Sequence, residues 1–206
     1  PLMSASGPSG AQPHHVPRPH GSRSLGEHPI YWMDSGGQYA GGTTDNTVTV
    51  ALSKPEPKHI QAHTLVLKGF LAIATARFPV GTYASQLDTL ARLPLWQYGL
   101  DFSHATGHGV GNCLNIHEGP LIGREPGPLS TAPLEPGMII ANEPGYYAPD
   151  DFGVRIESHL LVVPAVQPGF LELETISRLP IDPLLVDFAL LTLAERRWLA
   201  AYHCCI

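Results

Sequence analysis

Apolar residues recur along this chain with two periods. Over Glu56–Phe78 they fall at helical spacing, with Ile60 followed by Leu67, Phe70, Leu71 and Ala74, which predicts a helix ended by Pro79 and Gly81. Ala84–Tyr98 reads as a second helix, with Leu87, Leu90, Ala91 and Leu95 inward and Gly99 at its end. Pro94 lies inside that pattern and should kink or split it. Thr192 with Glu195 makes a capping box before a C-terminal helix through Leu199 and Tyr202. Elsewhere the period is two or the run is continuously apolar. Ile30–Met33, Asn46–Leu52, Met138–Ala141, Gly153–Val163 and Phe170–Ile176 read as strands. Residues 1–29, rich in Pro, Gly, Ser and His, read as loop or extended chain, and Glu125–Pro136 as a loop.

Composition narrows the class. The 206 residues suffice for one domain with a hydrophobic core and are short for two, so 1–206 is expected to be one domain. A 43% hydrophobic share with 15% charged residues fits a soluble globular protein. The formal net charge of −6 and the lack of a Lys/Arg run argue against nucleic acid as partner. No apolar run approaches the ~20 residues of a membrane-spanning helix, so no membrane partner is expected. Three cysteines, Cys113, Cys204 and Cys205, form no disulfide framework and point to a reducing, cytoplasmic compartment. The N-terminus has neither the basic start nor the apolar core of a signal peptide. It also lacks an initiating Met, as a fragment of something longer would.

Candidate chemistry concentrates in His104–Pro120, H-A-T-G-H-G-V-G-N-C-L-N-I-H-E-G-P. Gly107, Gly109 and Gly111 strip side chains from around His108, so the backbone can turn sharply and other groups can approach. His104 and His117 add two imidazoles. A glycine-rich surface loop with incidental histidines would look the same, so the carboxylates elsewhere decide. A hairpin of the first two strands would lay Asp34 and Asp45 near each other, where cross-strand Cβ atoms are about 5 Å apart. Two carboxylates that close need a shared proton or a cation, unless both merely form turns at strand ends. Glu143 sits at the end of a strand. Glu157 sits inside an apolar one, where burial without a metal or an arginine would be costly. Four carboxylates and one imidazole suit Mn(II) or Mg(II) rather than a thiolate-selected metal. They exceed what one divalent ion needs and match two ions about 3.5–4 Å apart, which make hydroxide at neutral pH. No G-x-S-x-G elbow competes, and nothing marks Cys113 as activated.

Five blocks then carry a resemblance: D-S-G-G-Q-Y-x-G-G-T-T-D, H-A-T-G-H-G-V-G, N-I-H-E-G-P, N-E-P-G-Y-Y and R-I-E-S. In this order they resemble the motifs of the pita-bread metallopeptidases, and within them the aminopeptidase P (Xaa-Pro aminopeptidase) branch. The resemblance implies an α+β fold with a curved, mainly antiparallel sheet covered by helices. It implies two divalent ions, Mn(II) first, with Co(II) or Zn(II) as alternatives. Asp34 and Asp45 would bind one ion and His108 and Glu143 the other, with Asp45 and Glu157 bridging. A metal-bridging hydroxide would attack the X-Pro peptide bond, with Glu143 carrying the proton. His104 would contact the substrate near the scissile bond and His117 the proline. His14 would line the active site, its neighbour His15 being the other candidate. Arg155 and Tyr147 would orient a ligand carboxylate. The partners implied are peptides with proline second, and a homodimer is possible on this resemblance. Family members carry more helical sequence and further domains ahead of the His14 segment, so the first half of the fold would be truncated. Prolidase or methionine aminopeptidase activity on the same scaffold, and an inactive peptide-binding homologue, are the competing readings.

Overall fold

The computed structural model describes residues 2–111, 115–124, 127 and 129–206. Cys113, and Glu125, Pro126 and Pro128 of the expected 125–136 loop, lie outside them. In chain order the strands and α-helices are β1 (Leu2–Ser6), β2 (Ile30–Tyr39), β3 (Gly42–Ala51), α1 (Pro57–Ala74), β4 (Arg77–Pro79), α2 (Asp88–Trp96), β5 (Gly107–Val110), β6 (His117–Ile122), β7 (Ile139–Asn142), β8 (Gly145–Ala148), β9 (Phe152–Arg155), β10 (Ser158–Pro164), β11 (Phe170–Thr175) and α3 (Leu193–His203). The strands form a three-stranded sheet β1-β2-β3, a six-stranded sheet β4-β11-β10-β7-β5-β6 and a hairpin β8-β9. Every pairing is antiparallel.

The core gathers α1 residues such as Leu67 and Phe70, Ala91 and Leu95 of α2, and sheet residues such as Ile140, Leu160 and Val162. Helix α1 begins at Pro57, suited to the first turn because its missing N–H is unneeded there. Helix α3 has the expected capping box, Glu195 N–H donating to Thr192 Oγ1 while Thr192 N–H donates to Glu195 Oε2. Lys68 of α1 pairs with Glu195 at 2.7 Å and so ties α3 to the core helix.

Several sequence expectations need correction. The first 29 residues are not all irregular: β1 adds an edge to the small sheet, and Gly7–Ala11 form a 3-10 turn. The first two strands are longer than the expected Ile30–Met33 and Asn46–Leu52, because β2 and β3 run through the glycine-rich segment between them to a tight turn at Ala40–Gly41. The chain leaves α1 at Thr75, and Arg77–Pro79 pairs with β11 as an edge strand, where Phe78 still reaches the core. The second helix is a 3-10 turn at Ala84–Leu87 followed by α2, which passes through Pro94 and stops at Trp96. Leu90 faces outward at 39% exposure, one helical position off the buried stripe of Leu87, Ala91 and Leu95. Gly153–Val163 is two strands. β9 pairs with β8 and β10 with β7 and β11, and Ile156–Glu157 is the break between them.

That break is where the sheets meet. Glu157 N–H donates to the Thr47 carbonyl of β3, and Arg155 and Thr49 exchange two hydrogen bonds. Among the described residues, no helix is long and apolar enough to cross a membrane.

Candidate metal centre

The inner face of the small sheet follows a period of two. Asp34 is buried in line with Ile30 and Trp32, and Asp45 in line with Thr47 and Thr49. In the β2–β3 register Asp34 lies opposite Thr47 and Asp45 opposite Gly36. The two carboxylates are therefore diagonal neighbours on one face rather than a directly opposed pair. His108 comes from β5, in the other sheet. A Cβ at Gly107 would collide with the Ala141 carbonyl of β7, and one at Gly109 with the Gly119 carbonyl of β6. These glycines thus serve close strand packing, and Gly107–Val110 is a strand rather than a loop. Glu143 follows β7, its N–H donating to the Thr106 carbonyl at 2.8 Å. Glu157 occupies the break before β10.

All five side chains converge. One donor atom each from His108, Glu143 and Glu157 lies within 4.8 Å of the others, and the same holds for Asp34, Asp45 and Glu157. Glu157 belongs to both groups. A third group joins Asp45 and His108 to His117, whose ring centroid is 4.2 Å from that of His108. His108 Nδ1 faces the Gly109 carbonyl at 2.8 Å, an acceptor only, so Nδ1 donates and Nε2 keeps its lone pair. Nε2 lies 3.6 Å from Asp45 Oδ2 and 3.4 Å from Glu143 Oε1, yet makes no hydrogen bond among the described residues. Asp34 Oδ1 is likewise buried without a partner among the described residues. Unpaired buried donors of this chemistry, in two overlapping groups, fit two divalent cations.

The electrostatics agree. Burial, reinforced by Glu143, Asp45 and Asp34, holds the Glu157 carboxyl well above its usual range. Burial pushes Glu143 up to about 7 against the pull of His108 and Arg155. Asp34 is raised by burial and by Asp45, against Arg155. Burial would raise Asp45 too, but the His108 imidazole outweighs it and the net direction is down. Burial would lower His108, but Asp45 and Glu143 outweigh it and raise it. Each group is displaced because acids crowd a desolvated site.

Arg155 holds the acidic cluster from behind. It is 1% exposed, with Nη2 donating to Asp34 Oδ2 at 2.6 Å, Nη1 to the Tyr147 hydroxyl at 2.7 Å and to the Pro13 carbonyl at 2.9 Å, and Nε to Thr47 Oγ1 at 3.1 Å. Its guanidinium lies 4.5 Å from the Trp32 ring centroid. The Tyr147 hydroxyl is 3.0 Å from His104 Nε2, while His104 Nδ1 faces the Ala105 carbonyl at 2.7 Å. Burial pushes His104 down to about 3, so the ring is neutral. Nδ1 donates, Nε2 accepts from Tyr147, and one chain of contacts links Asp34, Arg155, Tyr147 and His104.

A cavity of about 330 Å³ opens onto this cluster. His14, His104 and His117 line it beside the five acidic and imidazole groups, and Met3, Ala105, Ile116, Leu121 and Leu129 give it an apolar side. His15 lines a separate hollow with Ser4 and Tyr31, which favours His14 of the two adjacent histidines. Sequence reasoning passed over Thr47. Its hydroxyl donates to Glu157 Oε2 at 2.7 Å while accepting from Arg155. Its place two residues after Asp45, in a strand of period two, was the available signal. Met3 carried no signal, since β1 itself was not anticipated.

A model of metallopeptidase family M24 matches residues 1–164, and one of the C-terminal region of that peptidase matches residues 169–206. A probable Xaa-Pro aminopeptidase P of Laccaria bicolor is 45% identical over 98% of this chain and 32% of its own length. The chain thus spans about a third of the curated relatives it matches. The crystal structure of an X-prolyl aminopeptidase from Caenorhabditis elegans, a cytosolic enzyme with a di-nuclear active site, superposes with a TM-score of 0.93 at 42% identity, over 99% of this chain and 34% of that one. The prolidase of Pyrococcus furiosus superposes with a TM-score of 0.68 at 32% identity, over 84% of this chain and 48% of that one. The α+β architecture described above is therefore the pita-bread fold.

Proposed function

The chain belongs to metallopeptidase family M24, and from that premise we propose that it is the catalytic region of an aminopeptidase that removes the residue preceding an N-terminal proline. The observation that supports this most is the convergence of Asp34, Asp45, His108, Glu143 and Glu157 from two sheets onto one cavity. The higher structural likeness to the X-prolyl aminopeptidase than to the prolidase favours it over dipeptidase activity.

In this reading Asp34 and Asp45 would hold one divalent ion and His108 and Glu143 the other, with Glu157, a member of both donor groups, serving each. Manganese is the metal proposed, because carboxylate oxygens dominate the set. The ions supply Lewis acidity to the scissile carbonyl and to the attacking water. Arg155 and Thr47 keep Asp34 and Glu157 in place. Glu143 takes the proton of the attacking water and returns it to the departing proline nitrogen as the C–N bond breaks. His104, held neutral, borders the scissile position, and His117 and the apolar wall receive the proline ring. A tertiary X-Pro amide has no N–H, so a pocket shaped to the ring selects it where ordinary amide recognition cannot. The substrates are peptides with proline second, and the sparse cysteines and the likeness to a cytosolic enzyme support a cytosolic setting.

The test is hydrolysis of an X-Pro-X tripeptide by protein loaded with Mn(II). Release of the first amino acid, its loss on chelation, and its absence in a His108→Ala variant are the expected results. Cleavage confined to X-Pro dipeptides would replace the proposal with prolidase activity. A folded, Mn(II)-loaded protein that hydrolyses neither peptide would overturn it.

A further inference from the structure

Behind the cavity, on α2, lies a buried ion pair that none of the metal-centre side chains contacts. Arg92 and Asp88 stand one helical turn apart with side chains 2% exposed, Arg92 Nε donating to Asp88 Oδ2 at 2.6 Å. The rest of the guanidinium reaches the chain that leads into His104. Nη1 donates to the Phe102 carbonyl at 2.7 Å and to Asp101 Oδ1 at 3.0 Å, and Nη2 donates to the His104 carbonyl at 2.8 Å. The guanidinium carbon lies 3.9 Å from the centroid of the Phe102 ring, which is itself 5.0 Å from the His104 ring. Asp88 works in the other direction. Its Oδ1 accepts from Thr106 Oγ1 at 2.7 Å, and the Thr106 carbonyl accepts the Glu143 N–H. One turn of α2 thus grips the backbone on both sides of Ser103 and, through Thr106, the backbone of Glu143.

A buried ion pair is a poor device for stability alone, because apolar residues of similar volume often serve as well or better. The neighbouring buried positions of α2, Ala91 and Leu95, are apolar. What an apolar side chain cannot do is hold two carbonyl oxygens at fixed points, and a planar fork of five donors can. We infer that Arg92 is a positioning residue for the proposed reaction, acting through the backbone of His104, and that Asp88 couples this brace to Glu143 through Thr106.

The inference rests on the peptidase reading, and its test separates the two. Wild type, Arg92→Lys and Leu95→Ala are compared as Mn(II)-loaded proteins. Leu95→Ala destabilises the same helix without touching the brace. Lysine keeps the charge but cannot span the Phe102 and His104 carbonyls together. In Arg92→Lys, kcat on an X-Pro-X tripeptide falls by about tenfold to a hundredfold with KM nearly unchanged, the scale of a misplaced group at an active site. Mn(II) affinity falls by less than kcat does, since Arg92 reaches a proposed ligand, Glu143, only through Asp88 and Thr106. The nitrogen-15 signals of the His104 ring shift in Arg92→Lys and not in Leu95→Ala. If Arg92→Lys does not fold, Arg92→Gln, which keeps an amide donor, carries the same measurements. Wild-type kcat together with unshifted His104 signals in the Arg92 variant overturns the inference. So does an equal loss of kcat in Leu95→Ala. A wild-type protein without turnover overturns the peptidase reading instead, and the ring signals then still decide whether Arg92 sets His104.

Discussion

His63 shows how far one buried side chain departs from its solution chemistry. It is 1% exposed on α1, with Nδ1 3.0 Å from the Leu185 carbonyl, and burial pushes it down to about 4 against that hydrogen bond. The unfolded chain takes up this proton as pH falls below about 6.5, whereas the folded chain resists until about 4. The unfolded state therefore binds more protons in that window, and stability falls as pH drops through it. Each pH unit of displacement is worth about 1.4 kcal/mol, so this residue alone contributes a loss of about 3 kcal/mol. His63→Gln keeps a donor for the Leu185 carbonyl and has no proton to gain. Its denaturant midpoint at pH 7 should sit near that of wild type, and its decline toward pH 4 should be shallower. Parallel declines in the two proteins would remove His63 from the acid response. The same residue marks a limit of sequence reading. His63 sits within a helical pattern, and nothing local says whether its ring meets solvent or the core.

Among the elements, glycines fix how closely neighbours pack. A Cβ at Gly69 of α1 would strike the Ala91 carbonyl of α2, and one at Gly109 would strike the Gly119 carbonyl of β6. Backbone cannot move aside as a flexible side chain can, so each substitution should cost about 1–3 kcal/mol as overpacking. Their consequences should differ. Gly69→Ala parts two helices that carry none of the five proposed ligands, so it lowers the melting temperature and weakens Mn(II) binding less than Gly109→Ala does. Gly109→Ala shifts the strand that carries His108 and should lose both, as read by calorimetric titration. Equal Mn(II) affinities in the two variants would show that β5 does not set the ligand. The helices and several strands were legible because their periods are local: α1, α3, β7 and β11 lie within a few residues of their expected bounds. Several of the misjudged elements need a distant partner. β1 and β4 exist because β2 and β11 offer them an edge, and β9 and β10 part because they pair in different sheets.

On the scale of the whole molecule, the proposed metal ligands join the two sheets, and their carboxylates repel one another. Asp34 and Asp45 come from the small sheet, His108 from the large one, and Glu157 from the junction between them. A cation that binds only this folded arrangement stabilises it by mass action, by about 2.7 kcal/mol at a hundredfold excess over Kd. The melting temperature should therefore climb with Mn(II) concentration, return on chelation and ignore an equal ionic strength of sodium chloride. A melting temperature indifferent to Mn(II) would mean that the five side chains do not act together as ligands.

Taken alone, the order of residues marked the candidate donors, since carboxylates and an imidazole on strand ends and glycine-lined segments already name the kind of ion they suit. It also determined the periodic elements, because side-chain direction repeats every two or 3.6 residues whatever the rest of the chain does. Only the tertiary structure decided that Asp34 and Asp45 are diagonal neighbours, that Glu157 stands in a break between strands, and that Thr47 bonds to Glu157, Arg92 to the His104 carbonyl and Asp88 to Thr106. Those facts depend on strand register and on contacts between segments many residues apart. Burial and hydrogen-bond partners arise from such packing, and no local pattern encodes them.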